Sequence, residues 1–374
     1  MFNQNGGYPA ALPGRSDHGG EVLRKIKRSL GVLAAIAIAA TSVMSGSALA
    51  ATQPTAKTKA QWRADIARVR LPGSGCYHAS YPALRWHAVK CAAAPRVPLL
   101  PGPVARSARH GGPETVGDGT DYSAQVSGLI SKATGTFQGV SSGITEKGQA
   151  GGSGSQVANA FSLQLNSQFF TGSPACANSG DPSGCLAWQQ FVYTYESRSV
   201  GYVFMQYWLI NYDATCPSGW FTYSSDCYTN SNASTVPGGP VTAAQLATVN
   251  LTGSAASGGQ DGVSLSVGSG RATSVTNSDS KIHLASSWNT TEWGVYGDGG
   301  GSAANFGSGT TLEAQTVLTA TSGAAPTCVQ EGFTGETNNL TLASTPALGS
   351  ESSPTMASRQ TNGSAGTASC AAAG

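Results

Sequence analysis

One stretch of the chain places amide side chains inside two aromatic β-strands. In "CLAWQQFVYTYESRSVGYVFMQYWLINYD", Gln189 and Gln190 stand between aromatic residues, and Gln206 stands between Met205 and Tyr207. Amides on a half-buried sheet face need hydrogen-bond partners, so they are either structural or part of a site. Because side chains alternate along a strand, Gln190 shares a face with Trp188, and Gln189 points to the other face.

A carboxylate further along the chain could act together with these amides. Glu292 lies in "NTTEWGVYGDGGG", which has the alternation of another strand. The same rule places Glu292 on one face with Tyr296 and places Trp293 on the opposite face. A carboxyl on an aromatic-lined sheet face has a raised pKa, which general acid–base catalysis requires.

The elements that must position these residues are short strands. From about residue 114 to residue 344 the chain repeats alternating runs such as "FSLQLNSQFF" and "VFMQYWLIN", separated by Gly, Ser, Asn and Asp. This pattern predicts strands and turns with almost no helix. Roughly 230 residues of such a pattern fit one all-β domain, an antiparallel β-sandwich.

Composition divides the rest of the chain. Residues 1–50 match a secretory signal peptide, with a basic start, an apolar run and a small-residue end; a true start near residue 22 would be typical of a bacterial gene. Residues 51–112 form a basic, Pro-rich and largely irregular N-terminal arm or pro-segment. Residues 113–345 form the sandwich, and residues 346–374 form a loose Ser/Ala/Gly-rich tail. No other segment could span a membrane, so we expect a secreted protein.

The charges of the arm and the sandwich are opposite in sign. Residues 51–112 contain ten basic residues and one acidic residue, whereas residues 160–374 contain four basic and twelve acidic residues. The larger part has no basic face for phosphates, which excludes nucleic acid as a partner. The opposite charges predict that the arm lies on the sandwich at neutral pH and low salt. We expect the mature protein to begin between Arg106 and Thr120.

All eight cysteines follow the signal peptide, and an even number in an exported chain predicts disulfides. Spacing alone does not fix the connectivity. The short-range pairs are Cys76 with Cys91, Cys176 with Cys185, Cys216 with Cys227, and Cys328 with Cys370. The cysteines have no CxxC spacing and no nearby His pair, and the chain lacks HExxH, GxSxG and a phosphate-binding loop. We therefore expect neither a metal nor a cofactor.

The order and spacing of these elements resemble the glutamic peptidases, also called eqolisins. "FMQYWLINYD" is similar to the family's aromatic strand "YxxWxxxYP", and "TTEWGV" is similar to its strand that opens with Ala-Glu-Trp. The likeness covers about residues 161–342. It implies a concanavalin-like jelly roll of two curved sheets, with a Gln/Glu pair on the concave face, and the activity of an acid-acting endopeptidase.

The resemblance also implies roles for individual residues. The family's catalytic glutamate falls on Glu292, and its catalytic glutamine falls on Gln190, or on Gln189 if the register shifts by one. In the family, the carboxyl activates a water and protonates the leaving amine, while the amide holds the water and stabilises the oxyanion. The side chains that would bind the substrate are Trp188, Gln206, Trp208, Trp293 and Tyr296.

Two other functions stay open on the sequence. Exposed Trp and Tyr of a concanavalin-like sandwich would stack on sugar rings, which would make the protein a carbohydrate-binding module without catalysis. A disulfide-stapled secreted surface protein is the third interpretation. The expected partner is accordingly an extracellular protein or a glycan, and the expected state is a monomer.

Overall fold

One α-helix and many short strands make up the described part of the chain. The computed structural model describes residues 57–102, 115–117, 121–268, 270–350, 353–363 and 368–370, so the predicted signal peptide lies outside the described residues. Helix α1 spans Lys59–Ile66 and begins with a reciprocal capping box between Thr58 and Gln61. The strands are, in chain order, β1 Gly75–Ser80, β2 His87–Val89, β3 Thr115–Gly117, β4 Ser123–Gln125, β5 Ile130–Gln138, β6 Glu146–Gln149, β7 Gln156–Ala158, β8 Phe161–Ser167, β9 Leu186–Ser197, β10 Val200–Ile210, β11 Phe221–Tyr223, β12 Asp226–Asn230, β13 Ser234–Thr235, β14 Asn250–Ser254, β15 Gln260–Val267, β16 Arg271–Ser278, β17 Thr290–Gly297, β18 Ala303–Phe306, β19 Thr311–Ala320, β20 Thr327–Val329, β21 Thr337–Leu342, β22 Ala347–Gly349 and β23 Thr355–Thr361. Short 3₁₀ helices lie at Ala150–Gly152, Pro174–Cys176, Ala243–Thr248, Asp279–Lys281 and Leu284–Ser286.

The strands form two sheets. The larger one has the order β2-β1-β16-β15-β14-β5-β19-β23-β21-β18-β6-β7, with β22 beside β23 and β3 beside β21. The smaller one has the order β11-β12-β10-β9-β8-β17-β4-β20, with β13 beside β10. Strands β18 and β21 pair in parallel, whereas the neighbours that carry the candidate site are antiparallel. The predicted antiparallel β-sandwich with a basic N-terminal arm is confirmed.

The core lies between the two sheets. Alternation turns Phe191 of β9 and Trp293 of β17 towards the larger sheet, where both are buried. Glycines face them: a Cβ on Gly253 would lie 2.4 Å from the Phe191 ring, and a Cβ on Gly135 would lie 2.1 Å from the Trp293 ring. The sheets therefore approach closely where large rings of one sheet fill the space above glycines of the other.

We expect Gly135→Ala to lower the free energy of unfolding by about 1–3 kcal/mol, because the added methyl group overlaps the Trp293 indole. Gly349→Ala is the matched control, since a Cβ at Gly349 meets no atom within 4 Å. Urea denaturation at one pH measures both variants. If the two variants are equally stable, the sheets can move apart at this point with little loss of folding free energy.

The N-terminal arm is an integral part of the larger sheet. Strand β1 pairs with β16 along its whole length, and Trp62 of α1 and Trp86 are buried with Tyr77 in a cluster of their own. Within the described residues the ion pairs of the arm are internal to it, from Lys57 and from Arg68 to Asp65. The prediction that charge attraction holds the arm was therefore wrong for this part; strand pairing and apolar burial hold it. The predicted cleavage segment lies almost entirely outside the described residues.

The C-terminal residues are also part of the fold. Strand β23 pairs with β19 along seven residues and with β21 on its other side, which makes it an inner strand of the larger sheet. The prediction of a loose tail was wrong. The segment is rich in small and polar residues, but they alternate as in a strand, and Met356, Ser358 and Gln360 are buried.

The four predicted disulfides are present, and each joins the expected short-range pair. They link Cys76 to Cys91, Cys176 to Cys185, Cys216 to Cys227, and Cys328 to Cys370. Four disulfides are typical of proteins that fold in an oxidising compartment. Among the described residues, no helix has the length and apolarity needed to cross a membrane.

Candidate functional site

A row of polar side chains crosses the outer face of the smaller sheet. Strand register places Gln206 opposite Gln190, Gln190 opposite Asn166, and Asn166 opposite Glu292. Asn230 of β12 extends the row beyond Gln206. We call these five residues the polar row. Every member except Asn230 has no exposed surface, so the row is enclosed although it lies on the outer side of the sheet.

Hydrogen bonds run along the middle of the row. The Gln190 amide donates to Gln164 Oε1 at 3.1 Å, and Asn166 Nδ2 donates to the same oxygen at 3.2 Å. Asn166 Nδ2 also lies 2.7 Å from Glu292 Oε2. The predicted Gln190 and Glu292 are thus on one face, two strands apart, and connected through Asn166 and Gln164.

Glu292 has an environment that favours its protonated form. Burial raises the pKa of Glu292 well above its usual value, and the neighbouring carboxyl of Asp121 raises it further. Two carboxyl groups that are buried next to each other resist double ionisation, which favours a proton on one of them. Asp121 accepts hydrogen bonds from the Tyr296 hydroxyl and from the Gly117 amide. The site therefore contains two neighbouring buried carboxyls whose pKa values are raised.

Three oxygens of the polar row lack a hydrogen-bond partner. They are Gln190 Oε1, Asn166 Oδ1 and Glu292 Oε1, and each is buried. Buried polar atoms are almost always paired, so these three oxygens are available to a water or to a polar group of a ligand. The three side chains stand on neighbouring strands, as a site for a small polar group requires.

The chain itself covers the polar row. Residues 95–102, which we call the groove segment, cross the face from β12 towards β17 without forming a helix or a regular strand, and we call the surface beneath them the groove. Gln206 accepts from the Leu99 amide at 2.7 Å and donates to the Val97 carbonyl at 3.1 Å. Asn230 donates to the Pro95 carbonyl at 2.7 Å. Polar-row amides thus bind the backbone of a polypeptide segment.

The far end of the groove segment pairs with residues 333–336. The Gly335 amide donates to the Leu100 carbonyl at 2.7 Å, and the Gly102 amide donates to the Phe333 carbonyl at 2.8 Å. Glu336 Oε1 accepts from the Leu100 amide at 2.9 Å, and its other oxygen accepts from Gln164 at 3.3 Å. The buried carboxyl of Glu336 therefore joins the groove segment to the polar row.

The motif "GDGGG" forms the third contact to the groove segment. Asp298 fixes this loop by accepting from the Tyr195 and Gly151 amides, each at 2.9 Å. The Gly300 amide then donates to the Pro98 carbonyl at 2.8 Å. A Cβ on Gly299, whose φ is +98°, would lie 2.5 Å from the Val97 side chain, so glycine permits this close approach.

The structure corrects two of the predicted site residues. Gln189 points to the space between the sheets, where its amide contacts the Met205 sulfur. Trp293 also points inward, packs on Phe137 and donates to the Thr136 carbonyl at 3.0 Å. Both interpretations were wrong for one reason: the period of two turns residues 189 and 293 away from the face that carries Gln190 and Glu292.

The two predicted tryptophans of the groove are buried rather than free. Trp208 stacks on Tyr228 with a centroid distance of 5.1 Å and donates to Gln206 at 3.0 Å. Trp188 packs edge-on against Phe169, and neither indole has exposed surface. Tyr296 lies on the groove face over Gly294, as alternation predicts.

Sequence reasoning missed several residues of the site. Gln164 and Asn166 stand two residues apart in "FSLQLNSQFF", and this spacing could have identified them as polar side chains on one strand face. Asp121 and Glu336 lie outside regular strands, so no periodicity points to them. The sequence of the groove segment has no feature other than its prolines that would indicate a role in the site.

Comparisons with family models, curated proteins and solved structures give no match to this chain. Its function has to be inferred from the groove.

Proposed function

We propose that this chain is a secreted endopeptidase of the glutamic type that acts in acid, with Glu292 and Gln190 as its catalytic pair. The observation that carries the proposal is the groove segment, a polypeptide segment whose main chain is bound by Gln206, Asn230 and Glu336 across the polar row. A surface that holds one polypeptide in this way fits a peptide substrate after the segment leaves.

The chemistry follows from the carboxyl pair. With a proton on one of Glu292 and Asp121, the ionised carboxylate takes a proton from water, and the water oxygen forms a bond to the substrate carbonyl carbon. The Gln190 side chain lies on the same face and orients the water and the developing oxyanion. The proton then passes to the leaving nitrogen, the C–N bond breaks, and a carboxylic acid and an amine result.

The buried tryptophans favour a peptide over a glycan. Sugar-binding modules present free aromatic faces, whereas Trp188 and Trp208 have no exposed surface beneath the groove segment and its neighbours. The secreted location is supported by the four disulfides.

The proposal predicts activity that rises when the groove opens. Leu99 is buried among Val192, Phe204 and Ala233, so Leu99→Asp, which we call the open-groove variant, should displace the groove segment. We expect the full-length protein to cleave a denatured protein substrate in acid, with a rate that falls towards pH 2 as both carboxyls of the pair become protonated, and the open-groove variant to cleave several-fold faster. Gel electrophoresis and mass spectrometry of the products measure this from pH 2 to pH 7.

The matched control is Leu84→Asp, which places the same charge on an exposed residue of the arm. It should cleave at the wild-type rate. Circular dichroism confirms that each protein is folded. If the folded wild type and the folded open-groove variant both fail to cleave at every pH, the proposed peptidase function is wrong. Sugar binding by the open-groove variant would then support the carbohydrate-binding module.

A further inference from the structure

The groove binds most of the backbone of its occupant. Over residues 95–100, each carbonyl except that of Leu99 accepts a hydrogen bond, from the donors Asn230, Tyr228, Gln206, Gly300 and Gly335 in chain order. The amides of Leu99 and Leu100 donate to Gln206 and Glu336. Main-chain contacts of this kind are independent of sequence, so any extended polypeptide could form them.

The prolines of the occupant suit this mode of binding. Residues 95, 98 and 101 are proline, which has no amide hydrogen to satisfy and which restricts the chain to extended conformations. A restricted occupant loses less conformational entropy when it binds. The prolines therefore explain how this segment competes for the groove, and a substrate does not need them.

Side-chain selection is concentrated at Leu99. Its side chain is 1% exposed and lies in a pocket formed by Val192, Phe204 and Ala233. A cavity of about 190 Å³ adjoins this pocket, and its lining includes Leu99 and Phe204 together with the polar residues Thr194, Glu196 and Asp298. The cavity offers room for a side chain larger than leucine. An acidic side chain would lose its hydration among the apolar atoms of Val192, Phe204 and Ala233.

The next residue is connected to Gln190 through two side chains. The Leu100 amide donates to Glu336, Glu336 accepts from Gln164, and Gln164 accepts from Gln190. Leu100 packs against the cluster that contains Trp188 and Trp208. The amide of the peptide bond between residues 99 and 100 is therefore linked to Gln190 by a continuous chain of hydrogen bonds.

We infer that the groove takes extended polypeptides that run from β12 towards β17, and that it selects a large apolar side chain at the Leu99 position, on the N-terminal side of the peptide bond whose amide is linked to Gln190. This specificity rests on the proposed function, because it assumes that a substrate binds in the same way as the groove segment.

Binding of a free peptide tests the selection without requiring catalysis. The probe is acetyl-PRVPLLPG-amide, the sequence of residues 95–102, titrated calorimetrically into the full-length open-groove variant. Replacing the leucine at the fifth position of the peptide with aspartate should weaken binding at least tenfold. Replacing it with phenylalanine should change the dissociation constant by less than threefold. Arginine to alanine at its second position is the control, because Arg96 is exposed and only its guanidinium lies over Phe221. Equal binding of the aspartate and leucine peptides, or no binding of either, would overturn the inference.

Cleavage-site mapping on the wild-type protein gives an independent test if the open-groove variant does not fold. Sites in denatured proteins should be enriched in Leu, Phe and Met on the N-terminal side of the cleaved bond. Cleavage without this enrichment would contradict the inferred specificity but not the proposed peptidase function. Selective peptide binding without any cleavage would contradict the peptidase function but not the specificity of the groove.

Discussion

Replacing Glu292 with glutamine in the open-groove variant is expected to lower the rate of protein cleavage at acid pH at least about 100-fold. Glutamine has nearly the same shape, and its side-chain oxygen keeps the bonds that Asn166 and the Thr334 amide donate to Glu292. It has no carboxyl group to take a proton from water or to return it to the leaving amine. Initial rates of cleavage of a denatured protein measure the effect.

The same substitution should not destabilise the protein at neutral pH, because it removes a carboxyl from beside Asp121. This separates loss of catalysis from loss of folding. Glu313→Gln is the matched control, since Glu313 is partly exposed on β19 of the other sheet. If the Glu292→Gln protein is fully active, Glu292 is not the catalytic residue, and the groove is only a binding site.

The free energy of unfolding is expected to be highest below about pH 4 and to fall as the pH rises towards 8. Burial raises the pKa of Glu146 and of Asp261 to about 8, and that of Asp298 to about 7. In the unfolded chain these carboxyls titrate near pH 4. Between those limits the folded state binds more protons than the unfolded state, so stability falls with rising pH.

The expected loss is large because several groups act together. Each contributes at most about 1.4 kcal/mol per pH unit across its window, so even a fifth of the combined effect of the three groups would lower the free energy of unfolding by about 3 kcal/mol between pH 4 and pH 8. Urea denaturation at pH 4, 6 and 8 measures it. Asp261→Asn should flatten the profile, because burial and the neighbouring Asp279 carboxyl raise the pKa of Asp261 to about 8.

Asp213→Asn is the control for this series, since Asp213 is exposed in a turn and asparagine accepts its positive φ of 47°. It should leave the pH profile unchanged. Stability that rises from pH 4 to pH 8 would contradict the assignment of protonated carboxyls to the folded state.

Local patterns determined the strands of the central region and the direction of their side chains, but not the strands of the N-terminal arm or of the C-terminal residues. Alternation in "CLAWQQFVYTYE" and "TTEWGVYG" predicts which of Gln189 and Gln190 shares a face with Trp188, and it separates Glu292 from Trp293. These properties depend on neighbours one or two residues away. The short-range disulfides belong to the same class, because each closes a local loop; the longest spans 42 residues.

Only the tertiary structure decided which side chains meet. Asn166 stands between Gln190 and Glu292 because β8 pairs with both β9 and β17, and the register of strands far apart in sequence is set by the assembled ladder. The bond from the Leu99 amide to Gln206 joins residues 107 positions apart, and that from the Leu100 amide to Glu336 joins residues 236 apart. Contacts over such distances form only when the sheet has closed around the segment, so no local pattern encodes them.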